Sequence, residues 1–404
     1  MKVFQGQFTQ QEPISDAAID AAVAVLKSGR IHRYNTLDGE LGEVAQLEAE
    51  YAAWQGTQFC LAVTSGGQAM QIAMRALGVQ YGDVVLTNAF TLAPVPGAIE
   101  AVGGVARYVE IDENLRLDLG DLANKAKTSG AKFLLLSHMR GHLCDMDALM
   151  QICDQHGIAV IEDCAHTMGA KWNATRSGSF GRVGCFSTQT YKHLNSGEGG
   201  FLCTDDPEII AKATILSGSY MLYGRHGAGP DASAYDELKY LTPNCSARMD
   251  ALRAAILRPQ LANIEDSIQR WNERYDTLAQ VLSTHSAVAL PVRPQQESMV
   301  GSSLQFRVPA FSASQCEALL TQAAKQGVEI KWFGRAEPVG FTSNHTSWRY
   351  MPAQTLPTTD RLLSTLFDLR LPLTFSLDDC QLIGEVILEA LHTVDAAQFG
   401  SISL

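Results

Sequence analysis

Residues 159–206 read AVIEDCAHTMGAKWNATRSGSFGRVGCFSTQTYKHLNSGEGGFLCTDD. An apolar, β-branched run from Ala159 to Ile161 ends in two acids, Glu162 and Asp163. Lys192 follows 29 residues after Asp163, in a segment rich in Ser, Thr, Gly and aromatic side chains. Most lysines are solvated and many strand-end acids only cap a turn, so the pair takes its meaning from its surroundings. CFS ahead of Lys192 reads as an apolar strand, and NSGEGG behind it as a glycine-rich exit. A lysine held in a dry site loses hydration, which lowers its pKa and makes the neutral amine available.

Working outward, the run IAVIED is the last of a series. FCLAVT, DVVLTN, ARYVEI and KFLLLSH precede it as strands, separated by helical stretches of about ten residues. GGFLCTDD follows Lys192 as a further strand. Strands alternating with helices specify a mostly parallel sheet, here seven-stranded, covered on both faces. Ligands bind such sheets beyond the C-terminal strand ends, where Asp163, Thr64 to Gly67 and Asn88 to Thr91 all fall. SGG after FCLAVT is a strand-to-helix turn, a candidate phosphate cradle at Ser65, Gly66, Gly67 and Gln68 or else a plain tight turn.

Before this block, Ser15 or Asp16 caps a predicted helix that Gly29 ends, and Gly42 to Trp54 predicts a second amphipathic helix closed by Gly56. Beyond it, residues 217–240 have no clear period and read as a long functional or partner-contact loop. A long helical pattern then starts near Met249, with Pro259 expected to kink it. The remainder alternates strand and helix again. We expect a large domain over residues 1–255 and a smaller α/β domain over residues 256–404.

Composition narrows the function classes. The formal net charge of −12 argues against a nucleic-acid surface. Nine scattered cysteines without a C-x-x-C pair suit reduced thiols, which with the absence of an apolar leader in MKVFQGQFTQQEPISDAAID predicts a cytoplasmic protein. No apolar run is long enough to span a membrane. His138 and His142 are four apart but lie at a strand end, not on a helix, so no metal site is expected. Cys144, Cys153 and Cys164 read as small core residues.

The Asp163–Lys192 pair is what a pyridoxal 5'-phosphate (PLP) enzyme needs: an acid for the pyridinium nitrogen and an amine for the Schiff base. His166 would hydrogen-bond or stack on the ring, or be a structural histidine; Ser187 would contact the phosphate or solvate a turn.

With these residues in place the chain resembles the DegT/DnrJ/EryC1/StrS family of PLP-dependent aminotransferases. VIEDCAHTMGA is similar to the family's Asp-bearing motif and GSFGRVGCFSTQTYKHLNSGEGG to its lysine motif. TSGGQAMQIAMRALGVQYGDVVLTNAFTLAPVPGAIEAVGGVARYVEID, RMDALRAAILRPQL and LPLTFSLDDCQLIGEVI extend the resemblance over nearly the whole chain. It implies a fold type I PLP transferase, a large domain with a mostly parallel sheet plus a smaller C-terminal domain. Lys192 would be the aldimine lysine and the catalytic acid/base. Asp163 would face the pyridinium, Ser187, Gly66, Gly67 and Gln68 the phosphate, and His166, where the family usually has Gln, would lie near O3′. Lys192 argues against the family's dehydratase branch, which carries His there.

The implied activity is transfer of an amino group from an amino acid, glutamate or glutamine, to a keto sugar, a cyclitol or another biosynthetic carbonyl compound. A PLP-dependent dehydratase, lyase or epimerase on the same scaffold, and a non-catalytic regulatory protein, stay open as alternatives. The resemblance also implies a homodimer with its active site at the subunit interface. Several positions depart from the family. Gly67 stands for its usual Thr, and Leu92 stands where many members stack an aromatic residue, with Phe90 or His166 as substitutes. Asn244 or Ser246 is the residue expected to reach the neighbouring subunit's cofactor. Arg225 and His226 are candidates for an anionic substrate group, and Trp332 and Arg335 for site residues from the smaller domain.

Overall fold

A single edge collects the ends of six strands in the computed structural model, which describes residues 3–400, with side chains through residue 396. The strands are β1 (Phe59–Val63), β2 (Val84–Asn88), β3 (Val105–Val109), β4 (Phe133–Ser137), β5 (Ala159–Asp163), β6 (Val183–Ser187) and β7 (Gly200–Thr204). They form a seven-stranded sheet in the order β1-β7-β6-β5-β4-β2-β3. β7 runs antiparallel to both β1 and β6, and the remaining neighbours are parallel. The C-terminal ends of β1 to β6 and the start of β7 therefore share one edge.

β4 shows why the sheet is covered twice. Leu134 and Leu136 enter one core with Leu122, Leu149 and Val160, whereas Leu135 enters another with Ile72, Ile99 and Ile161. Successive strand residues point to opposite faces, so a run that is apolar throughout needs helices on both sides. Helices α3 (Gly66–Ala76), α4 (Pro94–Ala101) and α7 (Pro207–Leu216) cover the Leu135 face; α5 (Leu119–Thr128) and α6 (Met146–Gln155) cover the face of Leu134 and Leu136. α1 (Asp16–Ser28) and α2 (Glu43–Gln55) pack with α8 (Ala251–Ala262) beside β1 and β7. Ser15, not Asp16, caps α1, with its Oγ accepting from Ala18 N–H at 3.4 Å, and α1 and α2 end at Gly29 and Gly56.

The expected kink at Pro259 is displaced. α8 continues through Pro259 to Ala262 and the break falls at Asn263, ahead of α9 (Ile264–Leu282). Asn263 Nδ2 donates to the Pro259 carbonyl at 2.9 Å and stabilises the turn there. A second core surrounds a three-stranded sheet of β8 (Ser303–Arg307), β9 (Lys331–Trp332) and β10 (Leu366–Arg370), ordered β8-β10-β9. α12 (Leu377–Gly400) packs on both α9 and α10 (Ala313–Lys325), all three sharing the core of this sheet, and α11 (Pro357–Leu363) leads into β10. Phe4 and Phe8 join that core from the far end of the sequence, stacking edge-on against Phe375. Among the described residues, no helix is long and apolar enough to cross a membrane.

Candidate active site

A cavity of about 460 Å³ opens at the shared strand edge. Gly66, Gly67, Asp163, His166, Ser187 and Lys192 all line it. Asp163 ends β5 and is 7% exposed. Its Oδ2 accepts from Ser137 Oγ at 2.9 Å and its Oδ1 from Ala165 N–H at 3.1 Å. Ser137, at the end of β4, is fixed in turn by Thr91 Oγ1 at 2.8 Å and by both ends of the Asn88 amide. The carboxylate is thus aimed by a chain of buried hydrogen bonds across three strand ends. Such a chain fixes geometry as well as charge.

Lys192 lies on the loop between β6 and β7. Thr188, Thr190 and Ser196 tie the loop across its own base, through Thr188 N–H to Gly199 O at 2.9 Å and Ser196 N–H to Thr188 O at 3.0 Å among others. Burial, with Arg140 and Arg370 nearby, lowers the Lys192 pKa to about 7, against the opposing pull of Asp163. Lys192 Nζ sits 2.8 Å from His166 Nε2. Burial and the charges of Lys192 and Arg140 push the imidazole well below its usual value, so it is neutral. Its Nδ1 accepts the backbone N–H of Arg140 at 3.4 Å. That contact leaves the ring proton on Nε2, from where it donates to the neutral amine of Lys192. Arg140 presents this N–H from a left-handed conformation, φ 55° and ψ 24°, which costs about 1 kcal/mol or more for a residue with a Cβ and marks a constrained position.

The phosphate turn is spare. Ser65 caps α3, and its Oγ accepts from Gln68 N–H at 3.1 Å. The backbone N–H of Gln68 is thereby engaged and Gln68 is not among the lining residues, so the structure does not bring it to the cavity as the sequence suggested. Gly66 and Gly67 are the first helical residues, whose N–H groups have no carbonyl within the helix to bond. A Cβ on Gly66 would lie 2.9 Å from Ser187 Cβ, so only glycine lets β6 approach the turn. A Cβ on Gly67 would meet nothing closer than Ser65 Oγ at 3.7 Å. The space above the helix N-terminus is open, as an anion there requires.

Other expectations change. Phe90 faces away, edge-on to Phe333 at 5.1 Å in a separate core, so it does not replace the missing aromatic beside Leu92. His226 is buried against Arg33, Glu48 and Tyr34, and Arg225 is exposed; neither lines the cavity. Trp332 is anchored by its Nε1 to Ser364 O at 2.8 Å and Arg335 pairs with Glu317, so the end of β10 and the loop after β9 contribute other residues. These are Gly340, Phe341, Ser343 and Arg370. Asn244 and Ser246 are exposed, and Asn244 Oδ1 accepts from Tyr220 N–H at 2.7 Å. His138 and His142 bond Glu162 and Gln305. His138, Glu162 and Cys164 do lie close enough together to bracket an ion, but Glu162 already accepts from His138 and three backbone N–H groups. Cys144, Cys153 and Cys164 are buried, as their core reading expected.

Sequence reading missed Ser137 and Arg140, which follow the apolar run KFLLL with no motif of their own, and Tyr191 and Arg370, which the fold alone joins. Thr91 was legible as a strand-end residue but not as a partner of Ser137.

A model of the DegT/DnrJ/EryC1/StrS aminotransferase family matches residues 13–388. A dTDP-3-amino-3,4,6-trideoxy-alpha-D-glucose transaminase of Streptomyces venezuelae is 34% identical over 65% of this chain and 64% of its own length. The chain thus spans about two thirds of that relative. A 3-amino-5-hydroxybenzoate synthase of Amycolatopsis mediterranei is 29% identical over 80% of both chains. Among solved structures, a 3-amino-5-hydroxybenzoic acid synthase superposes with a TM-score of 0.81 at 25% identity, covering 96% of this chain and 99% of the other. DesV of S. venezuelae, solved with a ketimine intermediate, gives 0.77 at 26% identity, covering 94% and 98%.

Proposed function

Because the chain belongs to the DegT/DnrJ/EryC1/StrS aminotransferase family, we propose that it is an aminotransferase that uses the cavity at the sheet edge for both of its half-reactions. The cofactor is pyridoxal 5′-phosphate, and the residues present fit it. The observation that carries the reading is a lysine with a pKa near 7 and a hydrogen-bonded aspartate on the wall of one cavity, beside an open helix N-terminus.

The bound cofactor supplies a carbonyl that carries the amino group and a pyridinium that draws electrons from the substrate carbon. The protein does the rest. Gly66 and Gly67 N–H groups and Ser187 Oγ hold the phosphate, helped by the α3 dipole. Asp163, aimed by Ser137 and Ala165, keeps a proton on the ring nitrogen. Lys192 is about half neutral at pH 7, so one group can take a proton from the substrate's α-carbon as a base and then give a proton back as an acid. His166 orients the Lys192 lone pair through Nε2–H. Gly67 in place of a hydroxyl residue leaves the phosphate to backbone donors and Ser187.

The donor is glutamate or glutamine and the acceptor a keto sugar, a cyclitol or another biosynthetic carbonyl compound, by the chemistry named for the relatives. The protein works as a homodimer, supported by the exposed apolar segment described below. The test is to add L-glutamate to the PLP-loaded protein with no acceptor. Conversion of the cofactor to its pyridoxamine form supports amine transfer, and Lys192→Ala should slow it by roughly 10²–10⁴-fold. An unchanged cofactor, with an elimination product released from a sugar substrate, would favour the dehydratase or lyase alternative.

A further inference from the structure

Positive charge crowds one part of the cavity with too little negative charge to match. Arg140, which follows β4, and Arg370, which ends β10, both line the cavity. Neither belongs to the phosphate turn or to the hydrogen-bond chain behind Asp163. Arg140 is 6% exposed, and its Nη2 lies 2.9 Å from Asp368 Oδ2. Yet among the described residues its Nε and Nη2 have no partner in hydrogen-bond geometry. Lys331 Nζ lies 3.8 Å from the same oxygen and is also without one. Asp368 is fully buried, and its other oxygen already accepts from Gln305 Nε2 at 2.8 Å. The Arg370 guanidinium lies over the Tyr191 ring at 3.7 Å, which fixes its plane. Arg140 and Lys331 therefore share one carboxylate, with the charge of Arg370 close by. Glu198, the other acid on the wall besides Asp163, is solvent-exposed.

Like-charged groups crowded beside a cavity favour an anion that completes their hydrogen bonds. Burial and neighbouring cations lower the pKa of Arg370, and Lys331 is lowered to about 8, as expected of an uncompensated positive field. A guanidinium offers a planar fork of N–H donors that a carboxylate fills with two parallel bonds. Met70, Leu92, Val95, Met139 and Phe341 make the rest of the wall apolar. About 460 Å³ shared with a cofactor suits a compact ligand.

We propose that Arg140 and Arg370 form a carboxylate subsite, which narrows the acceptors named above to carbonyl compounds that themselves bear a carboxylate, so that donor and acceptor occupy the same two guanidinium groups in turn. The subsite deepens the aminotransferase reading and rests on it only for the order of the two substrates. The acceptor that the chain selects is then an acid-bearing carbonyl compound, and a neutral analogue is a poor substrate because it brings the two guanidinium groups no negative charge.

The probe is succinate, which carries carboxylates but no amine or carbonyl to react, with succinamide as its neutral counterpart. Each is titrated into the PLP-loaded protein by calorimetry, with the cofactor's absorbance followed in parallel. Succinate should bind and compete with L-glutamate, and succinamide should bind about tenfold or more weakly. Arg370→Gln should weaken succinate about 10- to 100-fold, and Arg140→Lys, which keeps the charge but loses the fork, should weaken it as well. The cofactor spectrum of each variant reports an intact site. Equal binding of succinate and succinamide, or unchanged succinate binding in both variants, overturns the subsite. Arginine-dependent succinate binding supports it even if L-glutamate leaves the cofactor unconverted, a result that would count against amine transfer alone.

Discussion

Lys192 bears its charge against the pull of its surroundings. Burial dominates, with Arg140 and Arg370 adding to it, and the pKa falls from 10.5 to about 7. In the unfolded chain the amine keeps its ordinary value, so between pH 7 and about 10.5 the unfolded state binds more protons than the folded one. The apoprotein therefore gains stability from this group as pH rises through that window, and carries the full cost of the buried charge below pH 7. Lys192→Met removes the cost. The variant apoprotein should melt above the parent at pH 6, by on the order of 2–3 kcal/mol, and the gap should close toward pH 10. A gap that does not change with pH would mean that the lysine is solvated. The same lysine should be labelled by an amine-directed reagent with a midpoint near pH 7, readable by peptide mass spectrometry. His166 shares this microenvironment, with its Nε2 2.8 Å from the lysine amine.

At the scale of elements, the two acids that close β5 divide the work. Asp163 faces the cavity, whereas Glu162 points away and organises the turn that leads back to β6. Its Oε2 accepts from His138 Nε2 at 2.9 Å and Gly178 N–H at 2.8 Å, and its Oε1 from Phe180 and Gly181 N–H, each at 2.8 Å. Burial alone would raise its pKa, but the bonds from His138 and from Gly181 and Gly178 bring it below the usual value. Glu162 thus contributes stability that is present above pH 4.5 and lost as pH falls through the lowered folded value. Glu162→Gln replaces one acceptor oxygen with an NH2 donor that faces N–H donors, and should cost roughly 3 kcal/mol or more at pH 7, read from denaturant midpoints, with a smaller difference at pH 4. This role was not legible in the sequence, because hydrogen bonds to backbone N–H groups leave no mark on residue identity at 178–181. The elements themselves were. The strands FCLAVT, DVVLTN, KFLLLSH and IAVIED fall where β-branched and leucine runs put them, since both faces of a parallel sheet must be apolar. The caps at Gly29 and Gly56 fall at their glycines because both adopt positive φ, 70° and 84°. Pro259 misled on the position of the break, since packing on α1 and α2 carries α8 one turn past it.

For the whole molecule, sequence adjacency says little about what closes the cavity. Asp163, His166, Ser187 and Lys192 lie within one stretch of the chain and were legible together, whereas Arg140 and Arg370 meet only through packing of the second sheet on the first. The division at residue 255/256, which we keep as a proposal, falls inside α8, and Phe4 and Phe8 return to the second core. The fold also leaves an apolar surface that a single chain does not cover. In the segment 217–244, Tyr220, Met221, Tyr240 and Leu241 are exposed by 59, 61, 76 and 77%, and Leu37 on the loop before α2 by 66%. Exposed apolar side chains gathered on one loop mark a contact surface. The segment is anchored beside the phosphate turn, through Thr64 N–H to Ala247 O at 3.0 Å and the bridge between Val63 and Arg248. The homodimer proposed above would use this surface, with Asn244 or Ser246 reaching the partner's cofactor as the resemblance implies. Leu241→Glu combined with Tyr240→Glu places two charges in that surface. The double variant should sediment as a monomer where the parent sediments as a dimer, and should retain PLP about tenfold or more weakly, because the cavity then lacks the partner's contribution. Dimers that survive both charges would place the interface elsewhere; monomers with undiminished PLP binding would show the cavity to be complete within one chain.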